Sequence, residues 1–263
     1  MSAPQTWHYG LIAEWWAEVN TDGPEIDYFG RFVERGQPAL DAGCGTGRLL
    51  LPWLRAGFDV DGCDVSADMI SLCRQHARRE SFDPILFVQP LHALDPPRRY
   101  QTIVACGVFG LGSTREQDQE ALHRFRRCLG EGGTLLLDNE VPYANARLWQ
   151  HWTREERKRL PMPWPAEEER RCAADGTELA LRSRTVHVDP LDQTAVLEIH
   201  AEKRRDGQLV ALEEHPLSMR MYFRDELLLM LDRAGFANVD VRGGYADEDA
   251  TGDHDFLVYI ART

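Results

Sequence analysis

Ala39-Leu40-Asp41-Ala42-Gly43-Cys44-Gly45-Thr46-Gly47-Arg48 reads as the end of a strand, a tight glycine turn and the start of a helix. Gly43, Gly45 and Gly47, at every second position, let the backbone approach a ligand where any Cβ would clash. The helix expected over residues 49–54 aims the positive end of its dipole at the same spot. Asp41 stands beside the turn, where a carboxylate opposes a phosphate. The turn therefore suits a nucleoside ligand with positive or zwitterionic groups. A dinucleotide fingerprint needs G-x-G-x-x-G, and Arg48 holds the place of its third glycine; a P-loop would need Gly-Lys followed by Ser or Thr. Taken alone, the turn also fits an ordinary strand-to-helix junction.

The next strand, residues 59–64, ends at Asp64, 17 positions after Gly47, and Ser66 is placed to cap the helix that follows. In a doubly wound sheet an acidic residue at the tip of the second strand takes the ribose hydroxyls of a nucleotide. A helix-flanking Asp is the plain alternative.

The 263 residues, 43% hydrophobic, suffice for one large domain or a domain with an insertion. A net charge of −13 argues against nucleic acid or an anionic membrane as partner. No run approaches the ~20 apolar residues of a membrane span, and the first residues show no basic-then-apolar leader. The six cysteines include no C-x-x-C pair and the nine histidines lack ligand spacing. Such usage predicts a reduced, cytoplasmic protein with no metal site.

Aromatic helical patterns are expected over residues 7–20 and 25–35. Strands ending at Asp41 and Asp64, at 85–89, 102–106 and 133–138, then alternate with helices at 67–79 and 116–128. Such alternation predicts a parallel sheet with helices on both faces and a ligand at the carboxyl ends of its strands. Residues 142–176, rich in Pro, Trp, Arg and Glu, make a poor sheet element. Strands at 178–188, 194–204 and 209–223 follow, with Asp206-Gly207 as a hairpin turn. The chain then returns with a helix at 224–234 and strands at 239–241 and 256–260, too close in sequence for a crossover, hence antiparallel.

The expected fold is thus α/β: a doubly wound, mostly parallel seven-stranded sheet ending in an antiparallel hairpin, with a small antiparallel β insertion after strand five. Residues 1–141 form N-terminal helices and the ligand-binding half, 142–223 a lid segment and the inserted sheet, and 224–263 the completing helix and hairpin. The hairpin ending departs from the strand order of nicotinamide-dependent dehydrogenases.

With Leu40 to Gly47, Gly62-Cys63-Asp64-Val65-Ser66 with Met69, Cys106-Gly107-Val108-Phe109-Gly110, and Leu129-Gly130-Glu131-Gly132-Gly133-Thr134-Leu135, the chain resembles the class I S-adenosylmethionine-dependent methyltransferases. The resemblance implies S-adenosylmethionine as cofactor. It sets Asp41, Gly43, Gly45 and Gly47 at the methionine end, Asp64 at the ribose with Val65 beside it, Met69 near adenine, and Cys106-Gly107 as the floor beneath the sulfonium. Pro90 stands where many relatives carry an acidic residue for adenine, which leaves adenine to backbone groups near Leu91 and to apolar packing.

Six of the seven tryptophans lie outside the expected sheet core: Trp7, Trp15, Trp16, Trp149, Trp152 and Trp164. Either they pack the insertion onto the domain, or they form a lid over an apolar pocket. By the same resemblance, Tyr9 and Trp16 are candidates to close the site. Glu140, Tyr143, His215 and Tyr222 are the candidate bases, needed only when the acceptor arrives protonated. The resemblance points to methyl transfer to nitrogen or oxygen of a small molecule of the secondary-metabolite, amino-sugar or amino-acid type. The alternatives are an NAD-dependent oxidoreductase and a non-catalytic S-adenosylmethionine-binding module. The inserted sheet could serve a homodimer interface or simply wall the pocket.

Overall fold

The computed structural model describes residues 6, 8–173 and 176–263. Helices α1 (Gly10–Val19) and α2 (Pro24–Arg35) lead into β1 (Ala39–Ala42), α3 (Leu50–Arg55), β2 (Val60–Asp64), α4 (Ala67–Arg79) and β3 (Leu86–Val88). After a 3₁₀ turn at Leu91–Ala93 come β4 (Tyr100–Ala105), α5 (Arg115–Cys128) and β5 (Leu129–Glu140). The middle of the chain holds α6 (Ala146–Trp149), α7 (Arg154–Arg157), β6 (Glu169–Cys172), β7 (Glu178–Asp189), β8 (Thr194–Arg205) and β9 (Gln208–Arg220). Helix α8 (Arg224–Arg233), β10 (Asn238–Gly243) and β11 (Phe256–Arg262) complete it.

One sheet has seven strands in the order β10-β11-β5-β4-β1-β2-β3, with β11 antiparallel to both β5 and β10 and the remaining pairs parallel. Its central strands are buried on both faces, as a parallel sheet covered by helices requires. In β5, Leu135 and Leu137 pack with Phe125, Leu227 and Phe236, while Leu136 between them packs with Phe29, Leu50 and Ile70 on the opposite face. The chain order reverses between β1 and β4, and the crevice at their carboxyl ends is the place such sheets offer a ligand.

The second sheet is antiparallel, in the order β6-β7-β8-β9. Asp206 and Gly207 both have positive φ (53° and 75°), the backbone of a type I′ hairpin. One expectation is corrected here: residues 142–176 do contribute a strand. All four residues of β6 are exposed, so no alternation marks it, and pairing with β7 alone makes it a strand.

Two joints fix this sheet over the first. Strand β9 lies along the loop after β4, with Gly112 N–H donating to Ser218 O (2.7 Å) and Arg220 N–H to Gly110 O (2.8 Å). Helix α1 lays Leu11, Ile12 and Trp15 on Leu179, Leu181, Ile199 and Ala201 of β7 and β8. Its first N–H groups, which no helical carbonyl can reach, go to one carboxylate from each side: Gly10 N–H to Asp68 of α4 (2.8 Å) and Leu11 N–H to Glu213 of β9 (2.9 Å).

Candidate functional site

Asp41, near the end of β1, is buried at 2% exposure. Its carboxylate accepts a hydrogen bond from the Leu50 backbone, but Oδ2 has no partner. Burial, then the nearby Asp64 charge, pushes its pKa up to about 8. The three glycines beyond it divide by role. All have positive φ, 90° at Gly43, 53° at Gly45 and 100° at Gly47. A Cβ on Gly43 would sit 2.4 Å from Val108, and one on Gly47 would sit 3.0 Å from Leu51. At these two positions the missing side chain serves packing. A Cβ on Gly45 meets nothing within 4 Å, and the same holds at Gly107 after β4. Open space therefore lies in front of the turn and of the floor, beside an unpartnered buried carboxylate oxygen. These residues fit the cofactor that the resemblance implies.

Asp64 closes the second side. Its Oδ2 accepts from Gly45 N–H (3.0 Å) and its Oδ1 from Ser66 N–H (2.8 Å), which ties the tip of β2 to the glycine turn. Burial raises its pKa against the lowering effect of these backbone donors. Ser66 caps α4 through Met69 N–H (3.2 Å), and Met69 is buried in the first turn. Val65 is exposed, and its carbonyl lies 3.5 Å from the Tyr9 hydroxyl. Tyr9 is thus beside Asp64 and Asp68, and burial followed by their charges raises its pKa. Trp16 is half-buried with its indole N–H unpartnered. Leu91 is half-buried in the 3₁₀ turn after β3.

The floor holds residues that sequence reasoning missed. Asp138, in β5, accepts from Gly107 N–H (2.6 Å), the Cys106 thiol (3.0 Å) and the Tyr245 hydroxyl (2.6 Å). Burial and the Asp138 charge push the Cys106 thiol up. Arg48 pairs with Glu25 in the first turn of α2. Asp138 carried a usable signal, since like Asp41 and Asp64 it follows a buried apolar strand; Tyr245 and Glu25 carried none.

The candidate bases are dispersed. Tyr222 is fully buried and donates its hydroxyl to Asp118 (2.6 Å), so it is committed to packing α5 and is not available as a base. Glu140, the last residue of β5, and Tyr143, three residues further on, are exposed. His215 lies on β9, half-buried, with Nε2 3.1 Å from Glu213, the residue that holds Leu11. It pairs with Ile199 in register, so both share the sheet face that carries α1.

Among the tryptophans, Trp15 packs against the inserted sheet, and Trp164 lies against Arg182, Arg184 and His200. Trp149 and Trp152 pair at 4.7 Å beside Tyr143 and Phe223. Trp7 lies outside the described residues. Two surface clefts, beside β7 and between α5 and α8, include none of the glycine-turn residues. Among the described residues no cluster of His, Cys, Asp or Glu could hold a metal ion, and no helix is long and apolar enough to cross a membrane.

This sheet order, with its glycine turn and acidic strand ends, defines the class I methyltransferase fold. Residues 39–133 match the family described as Methyltransferase domain. Over 138 residues it is 36% identical to the YqeM protein of Bacillus subtilis, covering 49% of this chain and 54% of that one. The chain thus spans about half the length of this curated relative. Whole-chain likeness comes from solved structures: an S-adenosylmethionine-dependent methyltransferase from Clostridium acetobutylicum (TM-score 0.72, 17% identity, 95% and 96% of the two chains) and the sugar N-methyltransferase KedS8 from Streptoalloteichus (0.69, 16%, 100% and 99%). At these identities the likeness concerns the fold.

Proposed function

We propose that the protein is an S-adenosylmethionine-dependent methyltransferase acting on nitrogen, or else oxygen, of a small molecule. The observation that carries this reading is the open space before Gly45 and Gly107, bordered by the unpartnered Oδ2 of Asp41. Bound there, the cofactor supplies a methyl group already activated on a sulfonium, so positioning does most of the work.

The residues present have separate tasks. Gly43, Gly45, Gly47 and Asp41 receive the methionine end, Asp64 the ribose hydroxyls, and Val65, Met69 and Leu91 the adenine side. Cys106 and Gly107, held by Asp138, form the floor. Tyr9 and Trp16 on the α1 side limit water entry. The acceptor approaches from the face of the inserted sheet that carries α1. There His215, oriented by Glu213, is placed to take the proton of an ammonium or hydroxyl acceptor. A nitrogen acceptor is favoured by the acidic surroundings of Asp41, Asp64, Asp68 and Glu213. The sugar N-methyltransferase that the chain matches over its whole length supports the same choice.

The test is a transfer screen with methyl-labelled S-adenosylmethionine against amino sugars, amino acids, other small amines and phenols, together with calorimetry on S-adenosylhomocysteine and NAD. Labelled product from an amine and binding of S-adenosylhomocysteine support the reading. Tight binding of NAD alone would overturn it.

A further inference from the structure

The indole N–H groups of Trp16 and Trp152 are buried and meet no acceptor among the described residues. Trp53, by contrast, gives its N–H to Ile26 O (3.0 Å). A buried donor without a partner is costly, and an indole can only donate.

The inserted sheet relates the two. Ala195, Leu197, Ile199 and Ala201 alternate along β8 and so share one face. Trp16 packs with Ile199 and Ala201 at one end of this face, and Trp152 with Ala195 and Val188 at the other. From Ala195 to Ile199 the strand advances ~13 Å. Both ends border the ligand crevice. Helix α1 starts on Asp68, and Met219, beside Trp152, bridges to Leu111 in the loop that begins at Gly107.

Register sets two rows between the indoles, Ser183-Ile199-His215 and Thr185-Leu197-Leu217. Ser183 is exposed, and Thr185, Leu197 and His215 are half-buried, so this strip of the face stays open. It offers aliphatic surface, two neutral hydroxyls and an imidazole. Neither row carries Lys or Arg, so a carboxylate or phosphate would find no permanent counter-charge there. A saturated ring bearing hydroxyl groups fits better. Its C–H face covers Leu197 while its rim oxygens accept the two N–H groups. Trp152 is held in place for this by Trp149 (ring centroids 4.7 Å apart) and, edge-on, by Phe223 (5.7 Å).

We propose that Trp16 and Trp152 are the specificity-determining donors of the acceptor pocket, one at each end, and that they select an amine on a saturated ring with a hydroxyl on either side. This rests on the methyltransferase reading of the chain. The amine then lies in the middle of the strip, on the row of His215.

The experiment titrates the protein, saturated with S-adenosylhomocysteine, with two probes. Glucosamine has its amine between two hydroxyls; cyclohexylamine has a six-membered ring and an amine but no oxygen. Both are used where they are ammonium ions. Calorimetry should show glucosamine binding at least about tenfold more tightly, the result of two added hydrogen bonds. In Trp152→Phe, glucosamine should weaken by roughly three- to tenfold while cyclohexylamine stays within about twofold. In spectra of the unaltered protein, the indole N–H signals of Trp16 and Trp152, assigned from the two Trp→Phe variants, should move downfield with glucosamine alone. Equal affinity for the two amines, binding of neither, or unmoved indole signals would overturn the proposal. Equal weakening of both amines in Trp152→Phe would reduce Trp152 to packing and overturn it as well. If S-adenosylhomocysteine itself did not bind, the methyltransferase reading would fall first, a result distinct from the others.

Discussion

The Tyr245 hydroxyl donates to Asp138 Oδ2 at 2.6 Å, while the other oxygen of Asp138 takes Gly107 N–H at the same distance. The loop between β10 and β11 is thereby fastened to the floor of the site. Tyr245 also packs edge-on against Tyr28 and Phe29 of α2. Removing the hydroxyl in Tyr245→Phe leaves a buried carboxylate oxygen with one donor fewer. A loss of about 1–3 kcal/mol is expected in urea unfolding. An unchanged midpoint would mean that the pair holds nothing.

Asp64→Ala removes the proposed ribose acceptor and also the anchor of Gly45 N–H and Ser66 N–H. S-adenosylhomocysteine should bind more weakly by ~1–3 kcal/mol, read by calorimetry. Equal affinity in the variant would take the ribose away from Asp64.

Gly45→Val places a branched side chain in the open space before the turn, at a backbone φ of 53°. Binding of S-adenosylhomocysteine should be abolished. The fold should survive at a cost of about 1–2 kcal/mol for the left-handed residue. A variant that unfolds normally and still binds would show that no ligand approaches Gly45.

Asp41 gives the pH response an uncommon sign. Its folded pKa of about 8 lies above the ordinary value of 3.8, because burial and Asp64 oppose ionisation. The folded protein therefore holds this proton more strongly than the unfolded chain. Its contribution to stability is complete below about 4 and is lost as pH rises toward 8. A cationic ammonium favours the ionised form, so S-adenosylhomocysteine affinity should rise over the same interval and a proton should leave on binding. Calorimetry in buffers of differing ionisation enthalpy measures that proton. In Asp41→Asn both the release and the pH slope should vanish.

Glu213→Ala removes the acceptor of Leu11 N–H and the partner of His215. Loss of such a capping contact costs about 1 kcal/mol. The loss should be local, so amide exchange in α1 should quicken while β1, β4 and β5 keep their protection. Unchanged exchange in α1 would show that Asp68 alone holds its start.

What could be read in the chain beforehand was what short stretches determine by themselves. The positive φ of Gly43, Gly45 and Gly47, the Ser66 cap and the Asp206-Gly207 hairpin each follow from a few neighbouring residues. Apolar strands alternating with amphipathic helices were enough for the seven-stranded sheet. The unread parts depend on partners far along the chain. Strand β6 exists because β7 pairs with it, and its own residues, Glu169 to Cys172, carry no apolar pattern. Asp138 matters through Tyr245, 107 positions away, and Arg48 through Glu25 on a helix that precedes the sheet. Tyr222, read as a candidate base, is committed to Asp118, a contact between residues 104 positions apart that no local motif announces.

The double clasp at the start of α1 has a consequence for engineering. Asp68 belongs to the cofactor half and Glu213 to the inserted sheet, and they take neighbouring amides, Gly10 N–H and Leu11 N–H. Transplanting residues 142–223 from a relative to change the acceptor would leave α1 facing a foreign surface and a lost clasp. A working chimera would have to exchange the first helix and the inserted sheet as one cassette, with its first crossover near residue 20.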